Sequence, residues 1–346
     1  MLLLLACTPT WTEDCTAADG DCSSTESLVD SAPLVDSDPP GDSAPEGWVA
    51  ELEGKDLWFD TIQEAIVEAD DGDTVWVAPG THYENIDFHG KGIRVVSVAG
   101  PLATVLDGGG TDSVVQIRAK EPSTAILEGF TITNGEGTEN HGGGVFVENA
   151  DPIIRYNIFV GNHGGVAGGV YLRHGEAVVH NNLIVHNDAQ VGGGLVCTNC
   201  KGEVRFNTFY MNDAEQAGPA GEWFFEPQGD FVANVVVVPE GSEYAFRYME
   251  PQGYTFEADY NLLYPDVPWA DSDTADGSIW PVGDHDVRGD PLLVNPDAMD
   301  FSLGEGSPAI DVGPPELTDA DGSPADLGAF GGPEGDWDPA AGWDPG

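Results

Sequence analysis

The sequence predicts an all-β chain wound as a right-handed parallel β-helix, a solenoid of about 25 residues per coil with a short N-terminal capping helix. Three observations predict it. Asn157, Asn182, Asn207, Asn234 and Asn261 are separated by 25, 25, 27 and 27 residues. A second series, Asn162, Asn187 and Asn212, keeps the 25-residue step. Glycines and apolar residues travel with them, as Gly143-Gly144-Val145-Phe146-Val147, Gly168-Gly169-Val170-Tyr171-Leu172 and Gly193-Gly194-Leu195-Val196-Cys197. Short apolar runs bounded by Gly, Asn and Asp read as strands, and no repeat holds apolar spacing long enough for a helix. Stacked at a tight turn, Asn tolerates left-handed backbone and can hydrogen-bond to the Asn above and below.

Taken in order, the chain opens with Met1-Leu2-Leu3-Leu4-Leu5-Ala6-Cys7. This resembles the end of a bacterial lipoprotein signal, with Leu4-Leu5-Ala6-Cys7 as the lipobox. The resemblance implies removal of residues 1–6 and lipidation of Cys7, hence a protein held at the cell surface or outer membrane through lipid alone. An ordinary cleaved signal, which would leave the protein secreted, is the alternative. Residues 7–46 are rich in Ser, Thr, Asp and Pro, with neither Lys nor Arg. Such a segment cannot bury enough apolar surface to order itself, and as a tether it would reach about 35 Å.

The β-helix is expected over residues 47–285. Ile62, Ala65, Ile66 and Ala69 share a face, and Asp60 with Gln63 reads as an N-terminal capping arrangement, so a helix over 60–69 would cover the open first coil. Strands follow in Thr74-Val75-Trp76-Val77-Ala78 and Ile93-Arg94-Val95-Val96-Ser97-Val98. Residues 286–346 are expected to form a C-terminal capping segment and a polar tail.

Four groups of residues carry a resemblance over about residues 47–335: Asp73-Thr74-Val75-Trp76-Val77-Ala78-Pro79-Gly80-Thr81-His82-Tyr83-Glu84-Asn85; Thr104-Val105-Leu106-Asp107-Gly108-Gly109-Gly110; Leu127-Glu128-Gly129-Phe130-Thr131-Ile132-Thr133-Asn134-Gly135; and the C-terminal group Asp290-Pro291-Leu292-Leu293, Ser307-Pro308-Ala309-Ile310-Asp311 and Asp321-Gly322-Ser323-Pro324-Ala325-Asp326-Leu327-Gly328-Ala329-Phe330-Gly331-Gly332-Pro333. They resemble bacterial β-helix repeat proteins of the pectin-lyase-like superfamily, the last being a C-terminal signature of choice-of-anchor type. The resemblance implies the fold. That superfamily holds polysaccharide lyases, glycoside hydrolases, epimerases and surface proteins of no known reaction, so fold alone does not select an activity. The Asn-Thr-Asp and Arg-Ile-Lys signatures of its hydrolases are missing, as is the Trp-Ile-Asp-His segment of its pectate lyases, and the hydrolases' Asp-Asp pair occurs only as Asp70-Asp71, just after the capping helix.

Charge narrows the partners. There are 61 acidic residues against 11 basic ones, a formal net of −50. Phosphate backbones and anionic membrane surfaces need Lys and Arg, so neither nucleic acid nor a bare bilayer is expected as a partner. A polysaccharide or cell-envelope glycan is. Five cysteines remain compatible with an oxidising compartment: with Cys7 set aside, Cys15 with Cys22 and Cys197 with Cys200 are disulfide candidates.

The repeat also aligns chemistry-bearing residues into columns. His163, Asp188 and Asp213 follow the second Asn series by one residue. Asp188 and Asp213 on adjacent coils would stand about 5 Å apart, a pair suited to calcium or to general-acid chemistry, or simply to turn formation. Arg155, His180 and Arg205 form a second column, an outward basic stripe whose forked donors suit sugar carboxylates or sulfates, or a solvated face paired with acids. Phe146 and Tyr171 form a third, able to stack on sugar rings or to pack. Two functions follow. One is a noncatalytic surface module that binds polysaccharide or envelope. The other is a divergent polysaccharide lyase or glycoside hydrolase acting on uronate-type polymers, which requires Asp188 and Asp213 to converge with Arg155 or Arg205.

Overall fold

The computed structural model describes residues 45–138, 141–216, 218–224, 228–249, 256–271 and 280–337. The expectations for the signal, Cys7, Cys15, Cys22, nearly all of the tether and the polar tail lie outside the described residues.

Within them the chain is a parallel β-solenoid. Three long sheets run along it, of ten, nine and seven strands, with a short fourth sheet of three. One coil shows the plan. Ile153–Arg155 lies in the first sheet, Ile158–Val160 in the second, His163–Gly164 in the short fourth, and Val170–Gly175 in the third. Each strand pairs in parallel with its counterpart one coil on: Ile154 with Val179, Phe159 with Ile184, Val170 with Leu195. Alternate residues point inward, so Ile154, Val179, Val204 and Phe231 from the first sheet meet Phe159, Ile184, Phe209 and Val236 from the second in one core.

The turn between first and second sheets is built by the asparagine ladder. Oδ1 of Asn182 accepts the backbone N–H of Asn157 at 3.0 Å, Asn207 does the same for Asn182, and Asn234 for Asn207 at 2.9 Å. The left-handed residue is not the Asn. It is the one before it: Tyr156, Asn181, Phe206, Ala233 and Tyr260 have φ between 50° and 59°. The Asn side chain holds that strained residue by donating Nδ2 back to the carbonyl two residues earlier, as Asn182 does to His180 at 2.8 Å. The second ladder, through Asn162, Asn187 and Asn212, closes the turn after the second sheet with the same Asn-to-Asn bonds.

The glycine pairs have a steric cause. A Cβ placed on Gly168 would stand 2.5 Å from the carbonyl oxygen of Gly193 and 2.7 Å from that of Asp188. Coils pass too closely there for any side chain.

The capping helix spans Ile62–Glu68 and buries Ile62, Ala65 and Ile66. Its N-cap is Thr61, whose Oγ1 accepts the N–H of Glu64, and not Asp60. Gln63 bonds instead to the backbone of Asp87, and Glu84 takes the free N–H groups of Ile62 and Gln63. Lys91 closes the other end by donating to the carbonyls of Ile66, Val67 and Ala69. A hairpin, Ala50–Leu52 with Leu57–Phe59, adds antiparallel strands to the first sheet beside Thr74–Val77. At the opposite end Trp269 and Trp280 stack on Phe246 and fill the last coil.

The C-terminal residues do more than cap an end. Val287–Arg288 is still a strand of the second sheet. Beyond it the chain folds back along that sheet's outer face. Ala309, Ala325 and Leu327 pack on Val235 and Leu262, while Phe301, Ala329 and Trp337 pack on Ile158, Leu183 and Val185. Its N–H groups at Gly328 and Ala329 bond to Ala233 O and Thr208 Oγ1. The apolar outer face of the second sheet explains the cover, since an uncovered face of this size would invite association. Among the described residues no helix is long and apolar enough to cross a membrane.

Candidate functional site

Arg155, His180 and Arg205 are in register on the first sheet. They do not form an open basic stripe, being only 6%, 1% and 9% exposed. The C-terminal fold-back covers them and supplies a carboxylate. Glu334 Oε2 lies 3.1 Å from Arg155 Nη1, 2.8 Å from Tyr156 Oη and 3.7 Å from His180 Nδ1. Arg155 also pairs at 2.5 Å with the buried Glu128, and Arg205 pairs with Glu203. Burial pushes His180 down to about 4, so its ring is neutral at neutral pH. Against the upward push of burial, His180 and Arg155 hold Glu334 below the usual carboxylate range. Sequence spacing gave the column. It could not give the cover, which comes from about 150 residues away.

Asp188 and Asp213 stand opposite each other on the short fourth sheet, with His163 on the other side of Asp188. His163 Nδ1 lies 2.5 Å from Asp188 Oδ2, and Asp213 Oδ1 accepts the N–H of Ala214. This is hydrogen bonding at an exposed turn. The carboxylates of the fourth sheet and the covered arginines of the first are held by different partners, so the structure does not assemble the convergence that catalysis there requires. Among the described residues no group of three or more His, Cys, Asp or Glu side chains is placed to hold a metal ion. Cys197 and Cys200 are joined by a disulfide, with Cα atoms 5.6 Å apart.

Phe146 and Tyr171 do stack, with ring centroids 5.1 Å apart, but they are 1% and 5% exposed. His141 covers the free face of Phe146 at 4.7 Å, and Arg118 lies over the same ring. They form a packed layer, not an open platform for sugars.

The same third sheet nevertheless carries a row of outward polar side chains. Its inward residues, among them Val145, Val170, Leu195 and Trp223, belong to the core, so the residues between them face out. One outward column runs Phe146, Tyr171, Val196, Glu222, Arg247, and its neighbour runs Glu148, Arg173, Thr198, Phe224, Met249. Glu222 is wholly buried. Its Oε1 accepts from Arg247 Nε at 2.5 Å, while its Oε2 meets no hydrogen-bond partner. Burial raises the Glu222 carboxyl above its usual value, and the Arg247 guanidinium only partly opposes this. The Arg247 side chain stays 30% exposed. Three coils away Arg173 is 41% exposed and pairs with Glu148 at 3.1 Å. Between them Thr198 Oγ1 donates to Tyr171 Oη at 3.3 Å, and burial lifts the Tyr171 phenol above its usual value. The period of the glycine runs places residue 173 in this column. What sequence spacing did not single out is Glu222 and Arg247, because the repeat lengthens between Cys197 and Trp223 and the 25-residue count slips there.

A parallel β-helix with an outward polar face is the class of protein this fold defines. The profile of a family described as a protein of unknown function (DUF1565) matches residues 86–214, the coils that carry both Asn ladders in their regular form. Among solved structures, a pectin methylesterase mutant in complex with a hexasaccharide aligns at 13% identity and a TM-score of 0.35, over 60% of this chain and 63% of that one. The chain thus spans less than two thirds of that neighbour, and a likeness this loose carries no argument about activity. No match was found among curated proteins.

Proposed function

We propose that this protein is a noncatalytic surface module that binds polysaccharide across the coils of its third sheet. The observation that carries the reading is the Glu222–Arg247 pair. A carboxylate buried without a partner for one oxygen costs stability, and here it fixes a partly exposed arginine side chain pointing away from the core. With Arg173, Glu148, Thr198 and Phe224 it makes a row of fixed donors, acceptors and one ring edge about 19 Å long, from the coil of Glu148 to that of Met249. Two arginines are balanced by two glutamates, so the face is locally neutral. A net charge of −50 repels polyanions at long range, which favours a neutral glycan whose hydroxyls take and give hydrogen bonds. Display at the cell surface rests on the lipobox-like start of the chain and on the Cys197–Cys200 disulfide.

The second reading, a divergent lyase or hydrolase, now turns on Glu222, whose raised carboxyl suits a general acid. Its complete burial keeps that carboxyl from any substrate at the sheet surface. Glu222 is accordingly a positioning residue for Arg247.

A glycan array of neutral and acidic polysaccharides on the full chain, run with calcium and with chelator, tests both readings. Binding to a neutral polymer that falls about tenfold in Arg247→Ala, with no release of reducing or unsaturated ends, is the expected result. Ends released by the wild type and not by Glu222→Gln would overturn it in favour of the enzyme. Binding unchanged in Arg247→Ala would remove the third sheet as the site.

A further inference from the structure

We propose that the N-terminal edge of the first sheet is a docking site for an extended cationic segment of another protein, which adds as a further strand beside Leu57–Phe59. That strand ends the ten-stranded sheet, and no other described strand pairs with its outer edge. The end of the third sheet is treated differently. Gln63 takes both main-chain groups of Asp87, donating Nε2 to the carbonyl at 3.1 Å and accepting the N–H at 2.7 Å, which blunts that edge. Among the described residues no side chain does this for Leu57–Phe59. A bare edge is a template for one more strand.

Beside the edge, a groove of about 650 Å³ lies between the strand and the capping helix, a size that suits a ligand site. Leu57 and Phe59 line it from the strand, and Glu64, Val67 and Glu68 from the helix. It is open to solvent: Leu57 is 45% exposed, Val67 is 52% exposed, and both glutamates are exposed. Charge then selects the occupant. The nearby lysines are committed, Lys55 to Asp70 and Asp73, and Lys91 to the carbonyls that end the helix. Glu64 and Glu68 form no ion pair among the described residues. One helical turn separates them by about 6 Å, and alternate residues of a strand are about 7 Å apart. Lys or Arg at alternate positions of an added strand can therefore lay apolar stems on Leu57, Phe59 and Val67 and bring their heads to both carboxylates. The residues between them face the other way, towards Trp58, whose half-buried ring meets the edge of Trp48 at 5.2 Å, so apolar side chains suit those positions. A second copy of this chain is opposed by the repulsion of two net charges of −50.

The groove shares no residue with the glycan face of the third sheet, so either can fail alone. The test is fluorescence anisotropy of a labelled Lys-Val-Lys-Val-Lys-Val-Lys peptide, blocked at both ends, titrated with the full chain. The peptide should bind. Its affinity should fall about tenfold in Glu64→Lys with Glu68→Lys, and about tenfold when every residue of the peptide is N-methylated, which keeps its charge and removes its N–H groups. It should stay unchanged in Arg247→Ala and in Glu215→Lys with Glu305→Lys, a reversal of two exposed acids outside the groove. Thermal melting checks that each variant folds, and the milder Glu64→Gln with Glu68→Gln, which should also weaken binding, replaces the Lys pair if that pair melts early. The proposal is overturned if the peptide does not bind, if both charge reversals weaken it equally, or if the methylated peptide binds as tightly. Self-association of the chain alone, abolished by Val67→Lys, would give the edge to a second copy and overturn the cationic partner.

Discussion

Asp286 Oδ1 accepts the backbone N–H of Asn261 at 2.9 Å, which makes an aspartate the last rung of a ladder otherwise built of asparagine. Its Oδ2 takes the N–H of Gly283 at 3.1 Å. These bonds favour the carboxylate, but burial outweighs them and pushes Asp286 up to about 6. The unfolded chain has the ordinary value, near 3.8. Between those two values the folded state binds more protons than the unfolded one. Stability from this group is therefore complete below about pH 4 and is lost as pH rises through 6.

Asp286→Asn removes that titration. Relative to the wild type, the variant should gain stability as pH rises from 4 to 6, by on the order of 1–2 kcal/mol, on top of any fixed offset from the Gly283 bond. Denaturant melts of both proteins across that range measure it. A difference that does not change with pH would show that the rung titrates normally.

Asn207→Leu should cost about 3 kcal/mol or more, because several buried groups lose partners at once. The side chain accepts from Asn182 N and Nδ2 at 3.0 Å and donates to Val179 O, Arg205 O and Asn234 Oδ1. The strained Phe206, at φ 50°, loses its support as well. An unchanged urea midpoint would remove the ladder as a source of stability.

Glu334→Ala should loosen the C-terminal fold-back without unwinding the coils. Arg155 and Tyr156 lose their shared acceptor, at a cost of about 2 kcal/mol once partial exposure is discounted. Hydrogen exchange of residues 289–337 reads this directly. Acid should have the same effect on the wild type. His180, near 4 when folded and 6.5 when free, loses its contribution as pH falls from 6.5 towards 4. Glu334, held below 4.5, loses its own as pH falls further. Exchange that accelerates across the coils and the fold-back alike would contradict a separable cover.

Replacing Cys197 and Cys200 together by Ala should lower stability by about 2 kcal/mol through the short loop they close, with a further loss from the core contacts of Cys197. A double variant that melts like the wild type would make the bridge dispensable.

The sequence by itself determined the coil. Asparagine at a near-constant step, with glycine pairs and alternating apolar residues, can satisfy hydrogen bonds and sterics only when each coil repeats the last. Register followed from the same count: Ile154 with Val179, Asp188 with Asp213 and Phe146 with Tyr171 could be paired before any coordinates. Exposure could not. Periodicity says which residues share a column but not what covers it, since cover depends on contacts between residues far apart in the chain. Only the tertiary structure decided that Glu334 buries the Arg155 column, that His141 shields Phe146, and that the hairpin sets Glu51 between Trp58 and Trp76. Local spacing carries the repeat, and the sites form where non-repeating chain meets it.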